Sequence, residues 1–532
     1  MGSPSDRFVI VGAGLSGLTA AAYLSRKGHP VTLLEKTARC GGLLNSFSRE
    51  GFTFDTGARS IENAGVVKPL LKDLGIELEL FDSPVTVGFE SELLSFEEEE
   101  DLSEYISLLK RLFPDEEQHI QKISRKIKKV MRSMDAIYGF DNPVFKEDFT
   151  KDKRYLLTQI LPWFGKFILA IRHMNVLDEP IESYLRRFTD DQALIDLIDQ
   201  HFFKMTPTFF ALGYFYVYRD YLYPKGGTGS LAKGLSEKIL SQGGEIRTKT
   251  EVRGIDTQKK ILIDQRENEI PYDRLIWGAD LKLLYSLIDT ESLPPAIKTD
   301  FTETKQRIFA SRGGDSVFSV YLGVDLPPDY FSKISHGHFF YTPRKSGLGE
   351  LHKSELQTIL DNFNDTPKED ILSWVSTYCD LNTYEISIPS LRDPELSPVG
   401  KTGLIISILF EYDLVKKIAE ARWYDEFKIA VEDQMITVLS NSVYQGLTDH
   451  ILLRFSSTPL SYLKRYGCSE GGITGWTYER PVPVVDRLIQ MPRSIKTPIP
   501  DILQVGQWAY SPAGIPTAIL TGWYAADLIL KS

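Results

Sequence analysis

The N-terminal part of the chain alternates between short apolar runs and a longer amphipathic stretch. Residues 8–11 read Phe-Val-Ile-Val, residues 18–27 have helical periodicity, and residues 30–34 form a second apolar run. This order predicts a strand-helix-strand unit, and such a connection makes the two strands parallel. The expected start of the fold is therefore an open α/β sheet.

The pattern changes twice farther along the chain. Residues 86–96 alternate like a hairpin, and residues 102–223 are helical and rich in apolar and aromatic side chains. From residue 227 the α/β pattern returns, with a helix over 231–241 and strands over 245–247, 250–255 and 275–277. Strands over 315–325, 335–342, 370–377 and 403–410 predict a second sheet, and the chain ends with a strand over 502–505 and a helix over 517–530.

A glycine-rich turn joins the first strand to the first helix. Its residues are Gly12, Ala13, Gly14, Leu15, Ser16 and Gly17, and Glu35 follows the second strand. In a G-x-G-x-x-G turn, the first glycine permits the tight turn, the second lets the backbone approach a pyrophosphate, and the third lets the helix pack on the strand. The helix N-terminus attracts phosphate, and Glu35 is placed to accept hydrogen bonds from ribose hydroxyls. The turn predicts a dinucleotide site in a Rossmann-type domain.

Two further motifs narrow the choice of dinucleotide. Residues 36–44 read Lys-Thr-Ala-Arg-Cys-Gly-Gly-Leu-Leu, and residues 54–57 read Phe-Asp-Thr-Gly. Both resemble motifs of the FAD enzymes of the amine oxidase and phytoene desaturase superfamily. The resemblance implies that the cofactor is FAD and that these motifs contribute Lys36, Arg39, Gly41, Gly42, Leu43, Asp55, Thr56 and Gly57 to its site.

The C-terminus resembles the closing motif of the same superfamily. Gly506 and Gln507 follow the last predicted strand, and Gly514, Ile515 and Pro516 precede the last helix. In the family a strand reaches the cofactor here and a helix N-terminus points at the flavin. That dipole stabilises negative charge on a reduced flavin. The sequence departs from the family at Gln507, where an aspartate is common, and this weakens the match there.

The central part of the chain indicates a subfamily. Residues 223–231 read Tyr-Pro-Lys-Gly-Gly-Thr-Gly-Ser-Leu, and Val252 follows the next helix and strand. This resembles phytoene desaturases, carotenoid isomerases and retinol saturases. The resemblance implies that Gly226, Gly227 and Thr228 pass near flavin and substrate and that the Val252 backbone meets the adenine. The matching segments are 6–60, 220–285 and 500–530.

The motifs together imply an α/β and α+β fold with interleaved domains. A Rossmann-type, GR2-like FAD-binding domain is expected from three pieces, residues 6–100, 224–285 and 481–532. Residues 286–480 are expected to form a substrate domain with a mixed β-sheet. Residues 101–223 are expected to form a helical, apolar region that serves as a lid, substrate wall or membrane-docking surface.

The helical region carries the predicted substrate contacts. An extended apolar substrate needs a tunnel lined by aliphatic and aromatic side chains, and we assign Trp163, Phe210 and Tyr214 to it. Cations are interspersed among the apolar residues, namely Lys151, Lys153, Arg154, Lys166 and Arg172. They are compatible with peripheral docking on a membrane, and equally with an ordinary helical core whose cations reach the solvent.

Composition excludes several classes of protein. The formal net charge of -11 opposes general binding of nucleic acid. The three cysteines lack CxxC spacing, and no carboxylate near His336 and His338 completes a metal site, so no metal is expected. The absence of a secretory signal and of a long apolar run predicts a cytoplasmic protein that can associate peripherally with a membrane.

The resulting hypothesis is an FAD-dependent oxidoreductase that acts on C–C or C=C bonds of a long apolar polyene or isoprenoid lipid. Flavin N5 exchanges a hydride in such reactions, and we identify no catalytic dyad. The electron acceptor, a quinone or oxygen, is left open. The alternatives are an FAD-dependent amine oxidase and a non-catalytic lipid- or prenyl-binding protein that resembles GDP-dissociation inhibitors.

Overall fold

A computed structural model describes residues 6–98, 100–146, 151–199 and 202–531 of the chain. Its strands are β1 Phe8–Val11, β2 Val31–Leu34, β3 Ser46–Arg49, β4 Phe52–Asp55, β5 Ile61–Glu62, β6 Leu80–Asp82, β7 Val85–Phe89, β8 Glu92–Phe96, β9 Tyr221–Pro224, β10 Glu245–Arg247, β11 Val252–Asp256, β12 Ile261–Asp264, β13 Glu269–Pro271, β14 Arg274–Trp277, β15 Ser316–Val324, β16 His338–Thr342, β17 Tyr384–Ser387, β18 Thr402–Phe410, β19 Ile451–Ser457 and β20 Ile502–Gln504.

The α-helices of the described chain are α1 Leu15–Arg26, α2 Val67–Leu74, α3 Asp101–Leu112, α4 Glu117–Tyr138, α5 Lys153–Tyr155, α6 Leu161–Val176, α7 Ile181–Leu185, α8 Gln192–Asp199, α9 Thr208–Val217, α10 Gly229–Ser241, α11 Leu281–Leu287, α12 Pro295–Ala310, α13 Pro328–Ser332, α14 Leu356–Asp361, α15 Lys368–Leu381, α16 Tyr412–Glu420, α17 Tyr424–Ser440, α18 Pro459–Tyr466, α19 Met491–Ser494 and α20 Ile515–Lys531. None of these described helices combines the length and the apolar character needed to cross a bilayer.

The first sheet has the strand order β10-β2-β1-β14-β20, and all of its neighbouring strands are parallel. The strands come from residues 8–34, 245–277 and 502–504, so three distant segments form one sheet. Helices α1, α10 and α20 bury their apolar sides in the core that covers it. The predicted strand-helix-strand unit at the N-terminus is confirmed.

The second sheet has the order β19-β15-β18-β17-β16-β7-β8 and is mixed, since β16 and β7 are parallel while the other pairs are antiparallel. Its hairpin β7–β8 confirms the one predicted over 86–96. The predicted boundary at residue 100 put this hairpin in the FAD-binding domain. The hairpin lies instead in the second sheet, because β7 pairs with β16 along its whole length.

The strand predicted over 370–377 is wrong, because these residues lie within helix α15. Ile371, Trp374, Val375 and Tyr378 are buried there. Their spacing of three and four residues is the repeat of a helix face rather than the alternation of a strand. The missing strand of the sheet is β17, which follows α15.

Helices α3, α4 and α6–α9 form a third unit, whose buried core includes Ile123, Ile127 and Phe215 and is shared with strands β7 and β8. This unit packs against Phe340 of the second sheet. Pro162 is the second residue of α6, and a π-helical turn, Leu156–Ile160, directly precedes this helix. Within the described residues, the helical character predicted for 102–223 is confirmed as far as α9, which ends at Val217, but residues 221–223 belong to strand β9.

Candidate cofactor and substrate site

One cavity is lined by residues of both sheets and of the helical unit. The centre of a water molecule can visit about 380 Å³ of it, so it is a ligand-sized space rather than a packing defect. The wall includes many of the residues predicted from sequence, namely Gly12, Gly14, Leu15, Ser16, Glu35, Lys36, Gly41, Gly42, Leu43, Gly57, Phe210, Tyr214, Val252, Gln507, Gly514 and Ile515.

The first glycine turn leaves an open space at one of its three glycines. A Cβ atom on Gly12 would lie 2.9 Å from the Gly278 backbone, and one on Gly17 would lie 2.1 Å from the Gly12 carbonyl oxygen. A Cβ on Gly14 would meet nothing within 4 Å. Helix α1 begins at the next residue, with no side-chain cap and no acidic residue in its first turn. Its free N–H groups therefore fit an anion such as a pyrophosphate.

Glu35 is held rigidly beside this turn. Its Oε2 atom accepts a hydrogen bond from the Ala13 N–H at 3.0 Å, and its Oε1 atom accepts one from the Thr37 N–H at 2.8 Å. The residue is 8% exposed and lines the cavity. Each carboxylate oxygen can accept a second hydrogen bond, so Glu35 fits the ribose hydroxyls of a nucleotide.

The second glycine motif is built against the first. The Gly41 N–H donates to the Ala13 carbonyl at 2.7 Å, and a Cβ on Gly42 would lie 3.4 Å from the Gly14 Cα. Gly41 has φ +116°, and a Cβ there would lie 2.3 Å from the Leu44 carbonyl oxygen. Only glycine is compatible with that position. The two motifs thus form one continuous part of the cavity wall.

The C-terminal motif packs against helix α1 and contributes Gln507 to the cavity wall. The Gly506 N–H donates to Thr521 Oγ1 at 3.0 Å, and a Cβ on Gly506 would lie 2.7 Å from Ser16 Oγ. A Cβ on Gly522 would lie 2.3 Å from the Ser16 carbonyl oxygen, so α20 crosses α1 in close contact. Gln507 lines the cavity, and its Nε2 atom is 3.8 Å from Cys468 Sγ.

Other predicted residues do not line the cavity. These are Ala13, Gly17, Arg39, Asp55, Thr56, Trp163, Gly226, Gly227, Thr228, Gly506 and Pro516, and their predicted ligand contacts stay predictions. Arg39 is exposed, and its Nη1 atom donates to the Ser46 carbonyl at 3.3 Å. Trp163 donates from Nε1 to the Ala136 carbonyl at 2.8 Å and stacks on Phe140.

Asp55 links two of the predicted motifs behind the wall. Its Oδ1 atom accepts hydrogen bonds from Ser46 Oγ at 2.6 Å and from the Thr228 N–H at 2.9 Å. Its Oδ2 atom accepts one from the Tyr223 hydroxyl at 2.7 Å. The carboxylate therefore joins the turn at Gly227 to the end of strand β4.

Sequence reasoning missed a set of polar side chains in the same cavity. We call it the polar wall and define it as Arg59, Glu62, Tyr214, Tyr221, His338, Glu385 and Ser407, of which only Tyr214 was predicted. His338 Nε2 lies 3.1 Å from Glu385 Oε1, and His338 Nδ1 lies 3.0 Å from Ser60 Oγ. The histidine was noted in sequence, but its partner lies on strand β17, which was not predicted.

The protonation of the polar wall follows from burial and charge. Burial lowers the pKa of His338. The hydrogen bond and the charge of Glu385 oppose this effect, but the guanidinium groups of Arg392 and Arg59 add to it, and the pKa stays below its ordinary value. Burial opposes ionisation of Glu385, but the hydrogen bond with His338 and the same arginines hold its pKa below the usual value. Burial, reinforced by Asp220, raises the pKa of Glu62 to about 7. The wall thus contains a neutral histidine, an ionised Glu385 and a protonatable Glu62.

Among the described residues, no group of three or more His, Cys, Asp or Glu side chains is placed to hold a metal ion. His336 pairs with Glu97 at 2.9 Å, away from His338. The two histidines therefore have different carboxylate partners, and of the two only His338 lines the cavity.

The family model described as flavin containing amine oxidoreductase matches residues 15–378. The chain belongs to this family. Its cofactor is FAD, and it is an FAD-dependent enzyme. The glycine cradle around Gly14, the free N-terminus of α1 and the carboxylate of Glu35 fit the two phosphates and the ribose of FAD.

Comparisons with individual proteins agree with this assignment. The chain is 24% identical to the chloroplastic prolycopene isomerase of Daucus carota, over 98% of this chain and 79% of that protein. It is 21% identical to the 4,4'-diapophytoene desaturase of Staphylococcus aureus strain COL, over 99% of both. An oxidoreductase from Methanosarcina mazei shares the fold with a TM-score of 0.62 and 16% identity, over 99% of this chain and 100% of that one.

Proposed function

We propose that this flavoenzyme acts on the C–C or C=C bonds of a long apolar polyene or isoprenoid lipid, by desaturation, saturation or isomerisation. The observation that carries the proposal is the continuity of the cavity. Phe203, Phe210 and Val317 line it together with the glycine cradle. An apolar chain placed among these side chains would lie in the same cavity as the cofactor.

The curated relatives support this choice of substrate class. One is named for the isomerisation of prolycopene and the other for the desaturation of 4,4'-diapophytoene, and both align with nearly all of this chain. The proposal extends their class of substrate to this enzyme without selecting a direction of reaction.

FAD supplies a flavin ring that accepts or returns a hydride when it is bound. The chain holds the nucleotide through the cradle at Gly14 and Gly41, and it presents the N-terminus of α20, beginning at Ile515, to the cavity. Side chains such as Phe210 exclude water and position the reacting carbons. Positioning and exclusion of water are the main contributions expected for a hydrocarbon bond that carries no acidic proton.

We further propose that helix α6 and the turn before it dock on a membrane surface. Leu157, Leu161, Phe164, Leu169 and Val176 are each at least 50% exposed. Lys166 and Arg172 are exposed on the same helix. Apolar side chains flanked by cations favour attachment to an anionic lipid surface, where an apolar substrate would be available.

The proposed function is tested with the FAD-loaded enzyme under anaerobic conditions. The enzyme is mixed with prolycopene, 4,4'-diapophytoene or retinol, the flavin absorbance is recorded, and the products are separated by chromatography. We expect flavin bleaching, or an isomerised, saturated or desaturated product, with at least one polyene. Flavin reduction by amines such as putrescine, with no response to any polyene, would identify an amine oxidase instead.

A further inference from the structure

The polar wall is the part of the cavity that an apolar substrate does not explain. The front face of the second sheet presents Ser319, Ser407, Glu385 and His338 on four neighbouring strands. Cross-strand partners share a face, and Ser407 is paired with both Ser319 and Glu385. The opposite face carries Val320, Ile406, Ile386 and Phe339, which are buried in an apolar core. The polar row is therefore specific to the side that faces the cavity.

Glu385 is the acceptor that remains open in this row. Since a carboxylate only accepts hydrogen bonds, a neutral His338 donates to it from Nε2 and accepts from Ser60 at Nδ1. His338 is thereby saturated and orients Glu385. The Glu385 side chain is 33% exposed although it lies among buried residues, and it opens into the cavity. Within the described chain, its second carboxylate oxygen has no hydrogen-bond donor.

A donor lies in the same wall. The Tyr221 hydroxyl donates to the Tyr214 hydroxyl at 3.1 Å, which leaves the Tyr214 hydrogen available. Both tyrosines line the cavity. The wall therefore offers an acceptor at Glu385 and a donor at Tyr214, the combination that complements a group able both to donate and to accept.

The wall and the residues directly behind it carry charges of both signs. Arg59 is 3% exposed, lines the cavity and donates to Ser407 Oγ at 2.9 Å. Arg392 lies behind it, over the ring of Tyr223 at 3.8 Å. Neither guanidinium has a carboxylate within ion-pair distance in the part of the chain that the structure describes. These positive charges oppose the entry of an ammonium group, and Glu385 opposes that of a carboxylate.

We infer that the substrate carries a hydroxyl group on its apolar chain and that this hydroxyl donates a hydrogen bond to Glu385. The inference rests on the proposed function and narrows its substrate class from polyene hydrocarbons to polyene alcohols. A hydrocarbon would seal the open carboxylate oxygen away from water without a partner, and a site with buried polar groups discriminates against a ligand that leaves them unpaired.

The test is equilibrium binding to the FAD-loaded enzyme, followed by the change in flavin absorbance and fluorescence. The ligands are all-trans-retinol, the matched hydrocarbon in which hydrogen replaces the hydroxyl, and the matched primary amine. A longer pair, zeaxanthin and β-carotene, covers a different chain length. For at least one pair we expect the alcohol to bind about 10- to 100-fold more tightly than the hydrocarbon, the range for a hydrogen bond to a charged group.

Two variants test whether Glu385 causes the preference for the alcohol over the hydrocarbon. Glu385→Gln keeps the shape and removes the charge, so the preference for the alcohol should fall to about threefold or less while hydrocarbon binding is retained. Glu97→Gln is the matched control, because Glu97 pairs with His336 at 2.9 Å outside the cavity wall. It should leave the preference unchanged.

The outcomes separate this inference from the function on which it rests. Equal binding of alcohol and hydrocarbon by the wild-type enzyme overturns the inference and leaves the polyene proposal standing, and this comparison needs no variant to fold. Tighter binding of the amine also overturns it. A preference that survives Glu385→Gln removes Glu385 from the role. Failure of every polyene to bind rejects the proposed function itself.

Discussion

The open space at Gly14 gives the sharpest test of the cofactor site, through the substitution Gly14→Ala. Gly14 has φ -69° and ψ 173°, a conformation that alanine adopts without strain. The added methyl group would meet no protein atom within 4 Å, and it would project into the cavity. The substitution should therefore spare the protein and affect only the ligand.

The substitution should change the stability of the apoprotein much less than its affinity for FAD. Alanine is a poorer N-cap than glycine, which lowers the unfolding free energy by about 0.5–1 kcal/mol. Alanine also restricts the unfolded chain, which raises the unfolding free energy by about 0.4–1 kcal/mol. The unfolding free energy of the apoprotein should thus change by less than about 1 kcal/mol. A methyl group where the pyrophosphate approaches removes one or two hydrogen bonds to a charged group, about 3 kcal/mol in total, which corresponds to about 100-fold weaker binding of FAD.

The assay is calorimetric titration of apoprotein with FAD, combined with urea unfolding without FAD. Gly165→Ala is the matched control, because a Cβ there also meets nothing within 4 Å but lies on the exposed part of α6. It should leave the FAD Kd unchanged. Gly17→Ala should destabilise even the apoprotein, since its Cβ would lie 2.1 Å from the Gly12 oxygen. If Gly14→Ala bound FAD as tightly as wild type, the pyrophosphate assignment would be refuted.

Three further predictions concern stability and membrane attachment. Because the pKa of Glu62 is raised to about 7, the folded apoprotein retains a proton that the unfolded chain releases. Its stability should fall as pH rises from 4.5 to 7. Glu62→Gln should raise the unfolding free energy at pH 8 by about 1–2 kcal/mol, measured by urea unfolding. A variant with the wild-type pH profile would contradict this. Asp55→Asn should lower the unfolding free energy by about 2–4 kcal/mol, because converging donors lose a charged acceptor; unchanged thermal and urea transitions would count against that role. Replacing Leu161 and Leu169 by serine should weaken sedimentation with anionic vesicles at least about tenfold, whereas Leu452→Ser, exposed elsewhere, should not; equal losses for both would reject α6 as the docking element.

The nucleotide half of the site could be predicted from sequence because its constraints are local. A turn that needs φ +96° at Gly12, and a contact that leaves no room for a side chain at Gly17, restrict single positions to glycine. Strands from residues 8–34, 245–277 and 502–504 also meet in one parallel sheet. The motifs did not distinguish residues that line the cavity from residues that hold the lining segments in place. Asp55 and Gly227 are of the second kind, since neither lines the cavity.

The substrate half could not be predicted, because it depends on register between strands far apart in sequence. Ser319, His338, Glu385 and Ser407 lie on four neighbouring strands, and each is unremarkable in its own segment. Strand β17 has only four residues, and the apolar residues of the preceding helix were read as the strand instead. With that strand misplaced, His338 had no visible partner, and the sequence indicated a site without acid–base groups.

Close contacts at the cofactor site also join the first helix of the chain to its last segment. Helix α1 supplies Ser16, whose hydroxyl limits the space at Gly506 and whose carbonyl limits the space at Gly522. The last segment of the chain therefore reaches the cavity from a position packed directly on the first helix. A ligand held by both segments stabilises that docked state in proportion to its affinity and concentration. FAD should for this reason order the C-terminal helix as well as supply the chemistry, and loss of the cofactor should loosen the enzyme first at the junction of α1 and α20.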